Sequence, residues 1–85
     1  MEFTLSEHAK TEMAHRGIPF AVVEKALDSP EQVVPEGGGI EVFQSRRDFG
    51  GMIFLVRVVV DRNVAPAMVV TVYRTSKIGK YWRKP

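Results

Sequence analysis

Met52-Ile53-Phe54-Leu55-Val56-Arg57-Val58-Val59-Val60-Asp61 is the stretch whose pattern decides the fold. Its even positions, Met52, Phe54, Val56, Val58 and Val60, are all apolar, while Arg57 and Asp61 fall on odd positions. Side chains of a strand alternate between its two faces, so the even face is expected to meet a core and Arg57 to reach the opposite face. Asp48-Phe49-Gly50-Gly51 precedes this strand and Arg62 to Pro66 follows it, both with turn chemistry. Strands are therefore expected on either side, at Ile40 to Arg47 and at Ala67 to Thr75. In the last one, Met68, Val70 and Val72 are assigned to one face and Val69, Thr71, Tyr73 and Thr75 to the other, with Arg74 marking where the core ends. Thr71 and Tyr73 then share the face of Arg57, and one of Arg46 and Arg47 must join them. Gln32-Val33-Val34 is a short fourth candidate, separated from Ile40 by a turn at Glu36-Gly37-Gly38-Gly39.

Upstream of Pro30 the period is helical. Leu5, Ala9 and Met13 recur at helical spacing behind a capping box of Thr4 and Glu7, with Ser6 as a competing N-cap. Gly17 suits a Schellman ending that brings Ile18 toward Met13. Pro19 fits the first turn of a second helix, whose apolar face is Phe20, Val23 and Leu27 and which Asp28-Ser29-Pro30 stops. The expected fold is α+β: two N-terminal helices packed on one face of a three- or four-stranded antiparallel sheet, the other face open.

At 85 residues the chain fits one domain, 1–85, ending in a basic aromatic tail at 76–85. A domain this small buries a modest share of its surface, so a homodimer is among the expected states. The absence of cysteine excludes disulfides, thiol nucleophiles and thiolate metal sites. An acidic Glu2 where a signal peptide needs a basic residue, and no apolar run of spanning length, lead to the expectation of a cytoplasmic protein with no membrane partner. Residues 1–42 hold eight acids against three Lys and Arg, and residues 43–85 hold nine Lys and Arg against two acids. That asymmetry points to a polyanion or an acidic protein segment as partner, or to two halves that neutralise each other in the fold.

Cleaving RNA without a metal requires a base for the 2′-hydroxyl, an acid for the departing oxygen and cations around the transition state. Arg57, Arg46 or Arg47, Lys77 and Lys80 are candidates for the cations, and His8, His15, Tyr73 and Tyr81 for the proton carriers. The bland reading makes Arg57 a solvated or ion-paired strand residue and Tyr73 an amphipathic one. His8, Glu12 and His15 share one helical stripe, but the two imidazoles stand about 10 Å apart along the axis, too far for both to bind one ion. No metal site and no cofactor is expected. The stretch Tyr73 to Lys84 interleaves rings with cations as a single-strand binder does, or else covers the sheet with Ile78, Tyr81 and Trp82 while its lysines stay solvated.

The order Leu5-Ser6-Glu7-His8-Ala9, Met13-Ala14-His15-Arg16-Gly17-Ile18, Val23 to Pro30, Val70-Thr71-Val72-Tyr73 and Lys77 to Trp82 resembles a family of small bacterial domains of unknown function. That family is similar to the BrnT and RelE toxins, and so to the barnase, EndoU, colicin and RelE fold group of metal-independent ribonucleases. The resemblance spans nearly the whole chain. It implies a RelE-like fold and an endoribonuclease acting on messenger RNA, held in check by a cognate antitoxin. His8, Thr71 and Tyr73 match the family pattern; His8, Arg57 and Tyr73 become the implied catalytic set, and Arg46, Arg47, Thr71, Lys77, Lys80 and Tyr81 the implied RNA-binding set. A non-catalytic interaction domain of the same fold, binding RNA or an acidic protein segment, is the alternative.

Overall fold

The structure, a computed structural model, describes residues 1–85. Strand β1 (Phe3–Leu5) leads into helices α1 (Glu7–His15) and α2 (Phe20–Asp28). Strands β2 (Gln32–Gly37), β3 (Ile40–Phe49), β4 (Met52–Asp61) and β5 (Ala67–Thr75) follow, and a one-turn helix α3 (Ile78–Tyr81) lies near the C-terminus. The sheet order is β1-β5-β4-β3-β2, antiparallel throughout except that β1 runs parallel to β5. This corrects the expected architecture. The sheet has five strands and is mixed, a strand precedes the helices, and a third helix closes the chain.

The first correction lies in three residues. Phe3-Thr4-Leu5 pairs with Ala67-Met68-Val69, so Thr4 belongs to a strand and Ser6 alone caps α1. Its hydroxyl accepts from the Ala9 amide at 3.0 Å. Pro19 is the N-cap of α2, one residue before the first helical turn that the sequence suggested.

Helix α1 packs on β5, and α2 over β3 and β4. Ala9, Met13, Ile18, Val22, Val23, Ala26 and Leu27 bury themselves against Phe43, Val56, Val58, Val60, Val69 and Val72. The even positions of β4 meet this core from Val56 to Val60. Toward the turn they do not: Met52 is exposed and Phe54 half-buried. Gly50 and Gly51, both at positive φ, make a two-residue turn that pairs Phe49 with Met52.

Two further corrections concern the sheet faces. The β4–β5 register slips between Val59 and Val60, so that Thr71 opposes Val59 while Val69 opposes Val60. The extra residue moves Val69 to the helix side, where it is fully buried, and leaves Val70 half-buried. The face away from the helices is not open either. Leu55, Gln44 and Arg57 lie there by alternation, and all three are buried. The C-terminal segment crosses this face. No helix is long and apolar enough to cross a membrane.

Candidate functional site

Gln32, Gln44, Arg57 and Tyr73 are register partners on β2, β3, β4 and β5, forming one row across the face away from the helices. Directly opposite residues in antiparallel pairs bring their side chains together, and here the contacts are polar. The Nε of Arg57 donates to the Gln44 carboxamide oxygen at 2.9 Å, and one terminal nitrogen donates to the Tyr73 hydroxyl. The other terminal nitrogen lies 3.7 Å from the Glu36 carboxylate. The guanidinium also lies 4.3 Å from the Tyr81 ring centroid. Such a cation, 7 % exposed, survives burial because its planar fork is met on each side. Gln44, fully buried, spends its amide nitrogen on the Gln32 oxygen at 2.7 Å and the Tyr81 carbonyl at 3.2 Å.

The C-terminal segment lies against this row. The Gln32 amide donates to the Arg83 carbonyl at 2.6 Å, and the Arg83 amide returns a bond to the Gln32 oxygen at 3.1 Å. Tyr81 sits edge-on to Tyr73, and Arg46 lies 4.3 Å from the centroid of the Trp82 ring. Arg46 also holds Glu31 with two side-chain bonds, at 3.1 and 2.8 Å. Its guanidinium, helped by its backbone amide, keeps the Glu31 carboxyl below the usual carboxylate range, and Glu31 in turn raises the affinity of Arg46 for its proton. Between these parts is a cleft of about 340 Å³, lined by Glu36, Arg57, Lys80, Tyr81, Trp82 and Arg83.

Of the residues singled out in the sequence, Arg57, Tyr73 and Tyr81 come together, with Lys80 on the cleft. Arg46 lies one step along β3 on the side of Trp82, and half-buried Thr71 is next but one to Tyr73 on β5. Lys77 is exposed just ahead of α3. Arg47 pairs with Phe54 and therefore falls on the helix side. His8 is exposed on α1, across the sheet from the row. His15 is likewise exposed on α1, and Glu12 pairs with Arg16 at 2.8 Å. The Arg16 hydrogen bond holds the Glu12 carboxyl below its ordinary range. No group of three or more His, Asp or Glu side chains gathers in metal-binding geometry.

Gln32, Gln44 and Glu36 escaped the sequence reading as members of the site. A signal for Gln44 was present: a two-residue turn at Gly50-Gly51 pairs Phe49 with Met52 and, five residues back along each strand, Gln44 with Arg57. Reading Glu36 as part of a turn hid it, whereas it belongs to β2 and only Gly38 and Gly39 turn.

No curated protein and no solved structure matches the chain. Residues 5–74, which include every strand from β2 to β4 and nearly all of β5, match a family described as a domain of unknown function (DUF4258), and the chain belongs to that family.

Proposed function

We propose that the protein is a RelE- and BrnT-like endoribonuclease that cleaves messenger RNA without a metal ion. The observation that carries this reading is the Arg57–Tyr73 pair: a buried guanidinium bonded to a phenol hydroxyl beside a cleft that also holds the Glu36 carboxylate and Lys80. Those are the group types that transesterification of RNA requires. Glu36 takes the proton of the 2′-hydroxyl as its oxygen forms a bond to phosphorus. Tyr73 gives its proton to the 5′-oxygen as the P–O5′ bond breaks. Arg57 stabilises the charge that builds on the non-bridging oxygens. The products are a 2′,3′-cyclic phosphate and a free 5′-hydroxyl, and proton return to Tyr73 from Glu36 through water resets the pair. His8, on the far side of the sheet, has no part in this scheme.

The unpaired cations of the C-terminal segment, Lys77, Lys80, Arg83 and Lys84, suit the flanking phosphates. A cognate antitoxin of acidic character would fit the same face. The test is incubation of the purified protein with a mixed RNA, with and without ribosomes, in excess chelator, followed by mapping of product ends. Cleavage with cyclic phosphate ends, lost in Arg57→Ala and strongly reduced in Tyr73→Phe and Glu36→Gln, is the expected result. No cleavage in either setting by folded protein free of antitoxin would leave the second reading, a non-catalytic module. One observation favours that reading: every nitrogen of the Arg57 guanidinium already faces a partner within the chain.

A further inference from the structure

Arg57 keeps N–H groups free beyond those that Gln44 and Tyr73 take, with Glu36 3.7 Å away, but it is only 7 % exposed and the Tyr81 ring lies against its guanidinium on the cleft side. The first three belong to the sheet. Tyr81 belongs to the C-terminal segment, which is weakly held: α3 is a single turn with no buried residue. Its polar fastening is the Gln32–Arg83 pair of bonds, the single bond from Gln44 to the Tyr81 carbonyl and, at its start, the Lys77 amide on the Thr75 hydroxyl. Lys77, Lys80, Arg83 and Lys84 take part in none of the molecule's ion pairs, and the segment lies over Arg57 and Arg46, whose acidic partners Glu36 and Glu31 belong to the other side, so no ion pair ties the segment down.

We infer that the segment from Lys77 to Arg83 is a lid over Arg57, latched by the carboxamides of Gln32 and Gln44, and that an anionic ligand reaches Arg57 only when the lid lifts. Segments with little buried area open locally far more often than the whole molecule unfolds. Polyanion binding favours the open state, since phosphates can meet Arg57 and the unpaired cations of the segment together only when the two are parted. Only the identity of the ligand rests on the proposed ribonuclease reading; the lid itself is measured without RNA.

The measurement is site-resolved modification of the full-length protein by phenylglyoxal, an arginine-selective dicarbonyl, read by peptide mass spectrometry. Arg57 is expected to react at least tenfold more slowly than the exposed Arg47. Gln32→Ala, at a half-buried position on an edge strand, removes both bonds to Arg83 and is expected to speed Arg57 modification about tenfold while leaving Arg47 unchanged. Tyr81→Ala, which removes the covering ring and leaves the latch bonds to the backbone in place, serves as a second, uncovered variant, and circular dichroism establishes that both fold. Unchanged Arg57 rates in both folded variants would overturn the lid. So would an Arg57 that reacts as fast as Arg47 in the wild type. A parallel titration with a synthetic oligouridylate, followed through Trp82 fluorescence, is expected to show tighter binding by Gln32→Ala than by wild type. Equal affinities would reject the lid as a gate. Faster Arg57 modification with no oligonucleotide binding by any form would uphold the lid and remove the ribonuclease reading.

Discussion

The carboxamide oxygen of Gln44 receives the Nε of Arg57 at 2.9 Å, with Gln44 fully buried and Arg57 nearly so. This bond fixes the roll of the guanidinium, and hence which nitrogen reaches Tyr73 and which approaches Glu36. Gln44→Leu would keep much of the side-chain volume and strand the Arg57 donor without a partner. A loss of about 1–3 kcal/mol is expected, the penalty for an unsatisfied buried donor, measured by urea denaturation. A variant as stable as wild type would show that Arg57 finds another acceptor or escapes to water.

The β5 bulge gives a second expectation. Ser6 reads that bulge directly, its amide donating to the Val69 carbonyl and its hydroxyl to the Val70 carbonyl, both at 3.0 Å. One residue therefore caps α1 and clamps the irregular backbone that turns Val69 inward. Val69→Ala is expected to cost roughly 1–3 kcal/mol as a core truncation, whereas Val70→Ala stays within about 0.5 kcal/mol. Equal losses would contradict the slip in register.

These positions also mark how far the sequence could be read. The orientation of Arg57 follows from period two alone, and the end of α1 from Gly17, because both are local rules. Period two alone puts Val69 on the wrong face, because a bulge depends on what the neighbouring strands and Ser6 demand. Strand β1 was missed for a related reason: three residues carry little pattern, and their partner in β5 is more than sixty residues away. Gln44 belongs to no motif, and its partners Gln32, Arg57 and Tyr81 are 12, 13 and 37 residues distant. The cover over the sheet was legible as one of two readings of the aromatic tail, but its latch was not.

Gly17 stands at φ +60° just past α1, with the Ile18 amide bonded to the Met13 carbonyl at 2.9 Å and its own amide to the Ala14 carbonyl at 3.4 Å. That is the double bond pattern of a Schellman ending. A Cβ at Gly17 would meet no neighbour, so the cost of Gly17→Ala is conformational alone, on the order of 1 kcal/mol. Thermal denaturation should register it as a fall of several degrees. An unchanged midpoint would mean the helix ends by another route.

Acid should weaken the Glu31–Arg46 clasp. The folded carboxyl is held below its ordinary range by Arg46, so its contribution is fully present above the unfolded carboxyl value of about 4.3 and is lost as pH falls through the lower folded value. Glu31→Gln should therefore melt below wild type at pH 7, and the gap should close as pH falls below the ordinary carboxyl range and the wild-type carboxyl becomes protonated. A gap that persists unchanged at low pH would assign the loss to packing rather than to charge.

Salt dependence separates RNA contacts by cations from contacts by rings. Lys77 and Lys80 are exposed, take part in no ion pair, and belong to the segment beside the cleft, with Lys80 5.2 Å from the centroid of the Tyr81 ring. Each phosphate neutralised on single-stranded RNA releases counterions, so the logarithm of the binding constant falls against the logarithm of salt with a slope of about 0.7 per contact. Replacing both lysines by alanine should therefore flatten the slope by about 1.4 and weaken binding most at low salt. Lys10→Ala with Lys25→Ala, two exposed lysines on the helices, removes the same charge from the other side of the sheet. If the net charge of the molecule governed binding, both pairs would flatten the slope alike. If the cleft does, only the first pair will, and an unchanged slope for Lys77→Ala with Lys80→Ala would take the RNA path away from this face.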